Sequence, residues 1–351
     1  MTESTTQADS QAPAGEVTLA RSLERFMAER GGDPRYRVAH LRRAGSGRSR
    51  DNWLFDLESA DASLPQSQLI LRTDPDGGLV KTDRRVEFEL LRALEGCNLP
   101  TPTARWLDVE GEVSGNPALI MGRLPGTCDY RVLSDESRAV EQRADLARKF
   151  CEILAAIHAV DWAAAGIGDL LPDPGEQAAA TELARWLAIL HHDQLEPWPE
   201  LEYAAVVLGE TAPQCPTRVL VHADFKPGNL LLDDTSVTGL LDWELAHVGD
   251  PLEDLGWVTQ SLRASEHTVE GAWTHDDLIR HYELVTSRSV DRSALAWWNS
   301  FSAFKTAVMQ VSGLRAFVEE RADDPYRPTR RVLLTLLDEV LDAAHLRGGD
   351  R

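Results

Sequence analysis

Between residues 218 and 257 the chain reads RVLVHADFKPGNLLLDDTSVTGLLDWELAHVGDPLEDLGW. Within eight positions it carries His222, Asp224, Lys226 and Asn229, flanked on both sides by apolar runs with the look of buried strands. A further acid, Asp242, follows 13 residues after Asn229, at the end of the apolar run Gly239-Leu240-Leu241. Buried strands do not tolerate such groups without partners. A fold that accepts this stretch must bring the acids, the amide and the lysine to one place. Pro227-Gly228 supplies the turn that lets Asp224 and Asn229 face the same site.

These residue types suit phosphoryl transfer from a nucleotide–Mg²⁺ complex, a reaction that draws its catalysis from positioning and charge stabilisation. Asp224 is placed to accept the proton of an attacking hydroxyl. Lys226, two residues on, is placed to neutralise the γ-phosphate. Asn229 and Asp242 offer the hard oxygen atoms that Mg²⁺ prefers alongside phosphate oxygens.

The pattern H-x-D-x-K-x-x-N, followed by a strand ending in Asp, resembles the catalytic and metal loops of the protein-kinase-like fold. Asp242-Trp243-Glu244 stands where kinases carry D-F-G. The wider phrase through Gly249-Asp250-Pro251-Leu252-Glu253-Asp254-Leu255 is similar to the aminoglycoside phosphotransferase family of small-molecule kinases. Within that family it resembles the branch found as a kinase-like domain fused to some acyl-CoA dehydrogenases. The resemblance covers roughly residues 35 to 320. Ala223 stands where the family usually has Gly, a departure judged minor because alanine is small.

The resemblance implies an α+β, bilobal, protein-kinase-like fold, with a small antiparallel-sheet N-lobe over 16–123 and a larger, mostly helical C-lobe over 124–351, after a disordered tail at 1–15. It implies ATP and Mg²⁺ as cofactors and a small-molecule hydroxyl compound as the acceptor. On the nucleotide side, Gly45-Ser46-Gly47-Arg48-Ser49 precedes the strand-like run Asn52–Leu57, and two glycines there let backbone N–H groups approach a phosphate. Arg72, at the end of the third strand, takes the place of the phosphate-holding lysine and keeps its charge. Glu87, in the helical run 84–96, matches the acid that pairs with that cation, with Glu89 a competing candidate by spacing. Ala118–Met121 leads into Gly122-Arg123, which resembles the interlobe hinge, so Met121 and Arg123 are expected to bring backbone groups to the adenine. Asp254 resembles the helix-start acid that bonds the catalytic-loop backbone.

Spacing narrows the acceptor. Asp254 follows only 12 residues after Asp242, too few for the activation segment on which a protein kinase docks a peptide. The acceptor is therefore expected to be a small molecule with a hydroxyl, and the resemblance implies an aminoglycoside-like or other amino or hydroxy compound. A hydroxyacyl-CoA-type acceptor and a nucleotide-binding pseudokinase are the alternatives.

Charge and composition set further bounds. A net charge of −21 and a pI near 4.9 argue against nucleic-acid and anionic-membrane partners, which favour basic surfaces. Cys97, Cys128, Cys151 and Cys215 lack metal-ligand spacing and read as thiols of a reducing cytoplasm. No apolar run approaches the ~20 residues of a membrane span, and the N-terminus lacks a secretory h-region. His158, at the end of a helix striped by Leu146, Phe150, Leu154 and Ile157, reads as a structural histidine. His191-His192-Asp193 is not read as a metal site, because adjacent helical residues diverge. The run Phe301, Phe304, Val308 and Val311 reads as core packing.

Overall fold

In a computed structural model of the chain, the described residues are 14–31, 34–44, 51–59, 67–73, 83–321 and 328–348. Along strand β3 (Ser67–Thr73), Leu69 and Leu71 are buried on one face, and the alternation sends Arg72 to the other. β3 is the middle strand of an antiparallel sheet ordered β1 (Arg37–Arg43), β2 (Asp51–Glu58), β3, β5 (Ala118–Gly122), β4 (Ala104–Asp108). Helix α1 (Ala14–Gly31) seats Leu23, Phe26 and Met27 against Phe55, Leu57, Leu69, Leu71 and Ile120. Residues to Asp76 together with Ala104–Arg123 form one compact unit.

The second unit gathers Gly77–Thr103 and Leu124 onward. Helix α2 (Arg84–Leu94) therefore groups with the helical part of the chain, although it lies in sequence between two strands of the five-stranded sheet. Asp83 caps it, its carboxylate accepting from the Arg85 N–H at 2.8 Å. A short hairpin pairs β8 (Leu230–Asp233) with β9 (Ser236–Leu240), and β6 (Thr127–Cys128) joins its edge. β7 (Val219–Val221) pairs antiparallel with β10 (His247–Gly249). The helices are α3 (Val140–His158), α4 (Ala178–Asp193), α5 (Pro199–Thr211), α6 (Pro251–Thr259), α7 (Ala264–His267), α8 (His275–Thr286), α9 (Arg292–Val318) and α10 (Arg330–Gly348). The architecture is α+β.

Helix α9 runs through the middle of this unit. Trp297, Trp298, Phe301, Phe304 and Val308 are buried against α4, α5, α10 and β7. The Trp297 and Phe301 rings stack at 5.5 Å. α6 lies so close to α9 that a Cβ on Gly256 would come within 2.7 Å of the Trp298 backbone, and glycine alone permits that approach. This contact fixes the first turn of α6, which carries Glu253 and Asp254. No helix among the described residues is long and apolar enough to cross a membrane.

Candidate active site

β7 is buried along its whole length and delivers the chain into the loop His222–Asn229. α6 begins directly across from that loop. Asp250 caps the helix by accepting from the Leu252 N–H at 2.8 Å, and Pro251 takes the first helical position, where no N–H is required. The first turn aims Asp254 at the loop. Its Oδ2 accepts from the His222 backbone N–H and its Oδ1 from the Ala223 backbone N–H, both at 2.8 Å.

His158 braces that carboxylate. Its Nε2 lies 3.2 Å from Asp254 Oδ2, so Nε2 carries the proton, and its Nδ1 accepts from the Tyr282 hydroxyl at 2.7 Å. Burial pushes the Asp254 carboxyl upward, but the His158 hydrogen bond and the nearby imidazoles and N–H donors outweigh it and hold the group below the usual carboxylate range. The expectation of a structural role for His158 agrees with this geometry.

Asp224 sits at the centre of the loop. Lys226 Nζ donates to its Oδ2 at 2.6 Å, and Asn229 Nδ2 donates to the same oxygen at 3.0 Å and to the Asp224 carbonyl at 2.9 Å. The Asn229 amide nitrogen is thus committed to Asp224, which leaves its Oδ1 as the atom able to bind a cation. His222 ties the loop to the neighbouring strand. Its Nε2 donates to the Leu241 carbonyl at 3.0 Å, and its Nδ1 accepts from the Asp224 N–H at 3.3 Å. Leu241 in turn donates its N–H to the Asn229 carbonyl at 2.9 Å. Both backbone groups of the residue before Asp242 are therefore held by the loop, and the pairing of Leu230 with Leu240 sets that register. Asp242 follows in the left-handed region, φ 70° and ψ 57°, which turns the chain sharply at the strand end.

Asp224, Lys226, Asn229 and His222 are thus joined by hydrogen bonds, with Asp242 one residue from the clamp. Glu87 is buried on α2 and pairs with Arg84, one turn earlier. Glu89 is only half-buried. In the first unit, Arg72 is buried on β3 and Met121 on β5, and the Arg123 N–H donates to the Gln68 carbonyl at 2.9 Å. Gly45, Ser46, Gly47, Arg48 and Ser49 lie outside the described residues, as do residues 1–13 and 322–327.

A pocket of about 370 Å³ opens beside Trp243 and Glu244, the residues that follow Asp242. α2 contributes Val86 and Glu87 to it, α4 contributes Glu182 and Arg185, and β10 contributes His247. Glu182 and His247 belong to a cluster that sequence reasoning missed. His247 Nδ1 is 3.0 Å from the Leu245 carbonyl and Nε2 is 3.0 Å from Glu253 Oε2, so both ring nitrogens face acceptors and the ring is an imidazolium. Burial pulls His247 down, but Glu182 and Glu253 outweigh it and raise its pKa to about 9. Glu182, His247 and Glu253 offer three ligand atoms within 4.8 Å of one another, the compactness of a metal site. Arg185 lies 3.3 Å from Glu182 and Lys305 lies 3.4 Å from Glu253, so the carboxylates already have their cations.

A family model for the phosphotransferase enzyme family (APH) matches residues 40–285. The chain is 25% identical over 263 residues to acyl-CoA dehydrogenase family member 10 of Mus musculus, covering 69% of this chain and 23% of the relative. It is 27% identical over 200 residues to acyl-CoA dehydrogenase family member 11 of Gallus gallus, covering 54% of this chain and 25% of the relative. It therefore spans about a quarter of the length of these curated relatives. Among solved structures, a Ralstonia eutropha protein provisionally named an aminoglycoside phosphotransferase superposes with a TM-score of 0.67 at 20% identity, over 93% of this chain and 98% of that one. The aminoglycoside phosphotransferase APH(4)-Ia, in ternary complex with AMP-PNP and hygromycin B, superposes with a TM-score of 0.56 at 16% identity, over 93% and 98%. At these identities the superpositions establish a shared fold.

Proposed function

Because the chain belongs to the phosphotransferase enzyme family, we propose that it transfers the γ-phosphoryl group of ATP to a hydroxyl of a small molecule. The observation that carries this reading is the carboxylate of Asp224, held on one oxygen by both Lys226 and Asn229. Both bonds fall on Oδ2, so Oδ1 is the oxygen that takes the acceptor's proton. The hydroxyl oxygen then attacks the γ-phosphorus as the bond to the β–γ bridging oxygen breaks, and ADP leaves. Lys226 turns its ammonium from Asp224 toward the incoming phosphate charge.

Asn229 and Asp242 fit a magnesium ion. Both are hard oxygen donors, and the Asn229 amide orientation is fixed by Asp224 so that its oxygen faces away from the base. Bound there, the ion would neutralise phosphate charge. The nucleotide-side roles of Gly45–Ser49, Arg72, Glu87, Met121 and Arg123 belong to the same proposal.

A small acceptor follows from how the chain passes from Asp242 to Asp254. One short turn (Trp243–Leu245), β10 and the first turn of α6 fill that interval completely. Nothing in it extends as a platform for a peptide. The names of the acyl-CoA dehydrogenase relatives favour a hydroxyacyl-CoA-type acceptor as a second reading within the same chemistry. ADP release measured over a panel of hydroxyl compounds, with hydroxyacyl-CoA thioesters and aminoglycosides in competition, decides between them. Asp224→Asn is expected to keep Mg·ATP affinity and lose about 10²-fold or more in turnover. Unchanged turnover would remove Asp224 from the role of base.

A further inference from the structure

Ala223, the residue before Asp224, has φ +65°. An L-residue in that region carries a strain of about 1–2 kcal/mol, so its surroundings must impose the conformation. Asp254 accounts for the amide side through the His222 and Ala223 N–H groups. The carbonyl side has a different partner. Lys305 Nζ, from the middle of α9, donates to the Ala223 oxygen at 2.6 Å.

Lys305 is 2% exposed, and a buried ammonium needs compensation. Glu253 Oε1 lies 3.4 Å from Nζ, and the indole faces of Trp186 and Trp257 lie 5.2 and 5.0 Å from it. The other carboxylate oxygen of Glu253 accepts from the His247 imidazolium, which also faces Glu182. The charge is thus retained by a chain of groups from α4, β10 and α6.

The peptide plane between Ala223 and Asp224 is pinned at both ends. Lys305 holds its oxygen, and His222 Nδ1 accepts its N–H at 3.3 Å. Rotation of that plane would swing the Asp224 side chain off its partners.

We propose that Lys305 is a positioning residue for Asp224: its ammonium, seated on Glu253, fixes the Ala223 carbonyl and so sets where the Asp224 carboxylate stands. This rests on the role given to Asp224 above. It adds a buried residue from a helix distant in sequence.

Lys305→Met keeps an unbranched side chain of similar volume while removing the charge. The test measures three things on the full chain: Mg·ATP affinity by calorimetry, ADP release from Mg·ATP with water as acceptor, and amide hydrogen exchange over residues 219–226. In the variant, ADP release should fall about 10²-fold, as expected when a reacting group is displaced by about 1 Å, with Mg·ATP affinity within about two-fold of wild type. Exchange at His222–Asp224 should accelerate about tenfold or more, while the amides of α5 and α10 stay at wild-type rates. Wild-type exchange over 219–226 in a folded Lys305→Met overturns the proposal, as does equal loss across α5 and α10, which would mark a general core defect. If Lys305→Met does not fold, Glu253→Gln should give the same local pattern at smaller amplitude, and its absence counts equally against the proposal. Wild-type protein that releases no ADP would sink the phosphotransferase reading, and the exchange comparison would still decide the role of Lys305.

Discussion

Asp254 grips the loop at His222–Ala223 by its N–H groups, and Lys305 grips the same turn by a carbonyl, but the two grips are built differently. Asp254 is a single carboxylate held by donors: two backbone amides, and an imidazole oriented by Tyr282. Its bonds to the two backbone amides, both at 2.8 Å, are charge-assisted. Lys305 belongs to a network of charges in which Glu253, His247, Glu182 and Arg185 must all keep their protonation states. In the first arrangement the Asp254 carboxyl is held below the usual carboxylate range. The second contains a group that titrates.

The largest effect should come from removing the first grip. Asp254→Ala strands the His222 and Ala223 amides and the His158 Nε2 proton without an acceptor in a fully buried site. Breaking such an arrangement on one side costs about 3–5 kcal/mol. Urea unfolding of the variant should show that loss. A change under about 1 kcal/mol would mean that the carboxylate is replaceable, and that the two grips are less different than the geometry shows.

The second effect is a pH dependence confined to the Lys305 network. His247 has its pKa raised from 6.5 to about 9 by Glu182 and Glu253 against the opposing effect of burial, with Arg185 and Lys305 facing the same carboxylates. The folded pKa lies above the unfolded one, so the stabilisation is fully present below pH 6.5. It is lost as pH rises through about 9. The full contribution is about 3 kcal/mol. Denaturant midpoints measured from pH 6 to pH 10 should fall for the wild type and stay flatter for His247→Gln. Parallel curves would place the titrating group elsewhere. Asp254, held below its usual range, has the opposite sense: its contribution is present above pH 3.8 and fades only in acid.

The two grips also differ in how far the sequence revealed them. Asp254 was legible because it lies 12 residues from Asp242 in one continuous phrase of recognisable residue types. His222, Asp224, Lys226 and Asn229 were legible for the same reason. Lys305 meets its partner across 82 residues. Its one signal was an ammonium inside the apolar run Phe301, Phe304, Val308 and Val311, and that stripe was read only for its packing. His247 and Glu182 carry no signal of their own, since a single histidine or glutamate on a half-buried element is ordinary. Glu87 and Glu89 could not be separated by spacing. In the structure Glu87 is buried and paired with Arg84, while Glu89 is half-buried. The division of the helices was harder still. α2 falls between two strands of one sheet in sequence and groups with the other unit in space.

Ala223 was judged by its size, and the structure shows that its conformation is what matters. At φ +65° it sits where glycine is at ease and a Cβ is strained. In an ordinary buried position, Ala→Gly loses a methyl group and frees the unfolded chain, together about 1–2 kcal/mol of destabilisation. Here the release of about 1–2 kcal/mol of strain opposes both losses. Ala223→Gly should therefore leave unfolding free energy within about 1 kcal/mol of wild type, while keeping the loop under the control of Asp254 and Lys305. Destabilisation beyond that range would show that the two grips hold an unstrained residue, and the reason for needing both would be gone. Ala223→Val sharpens the comparison from the other side. A β-branched side chain in the left-handed region should destabilise well beyond the glycine variant under the same urea titration.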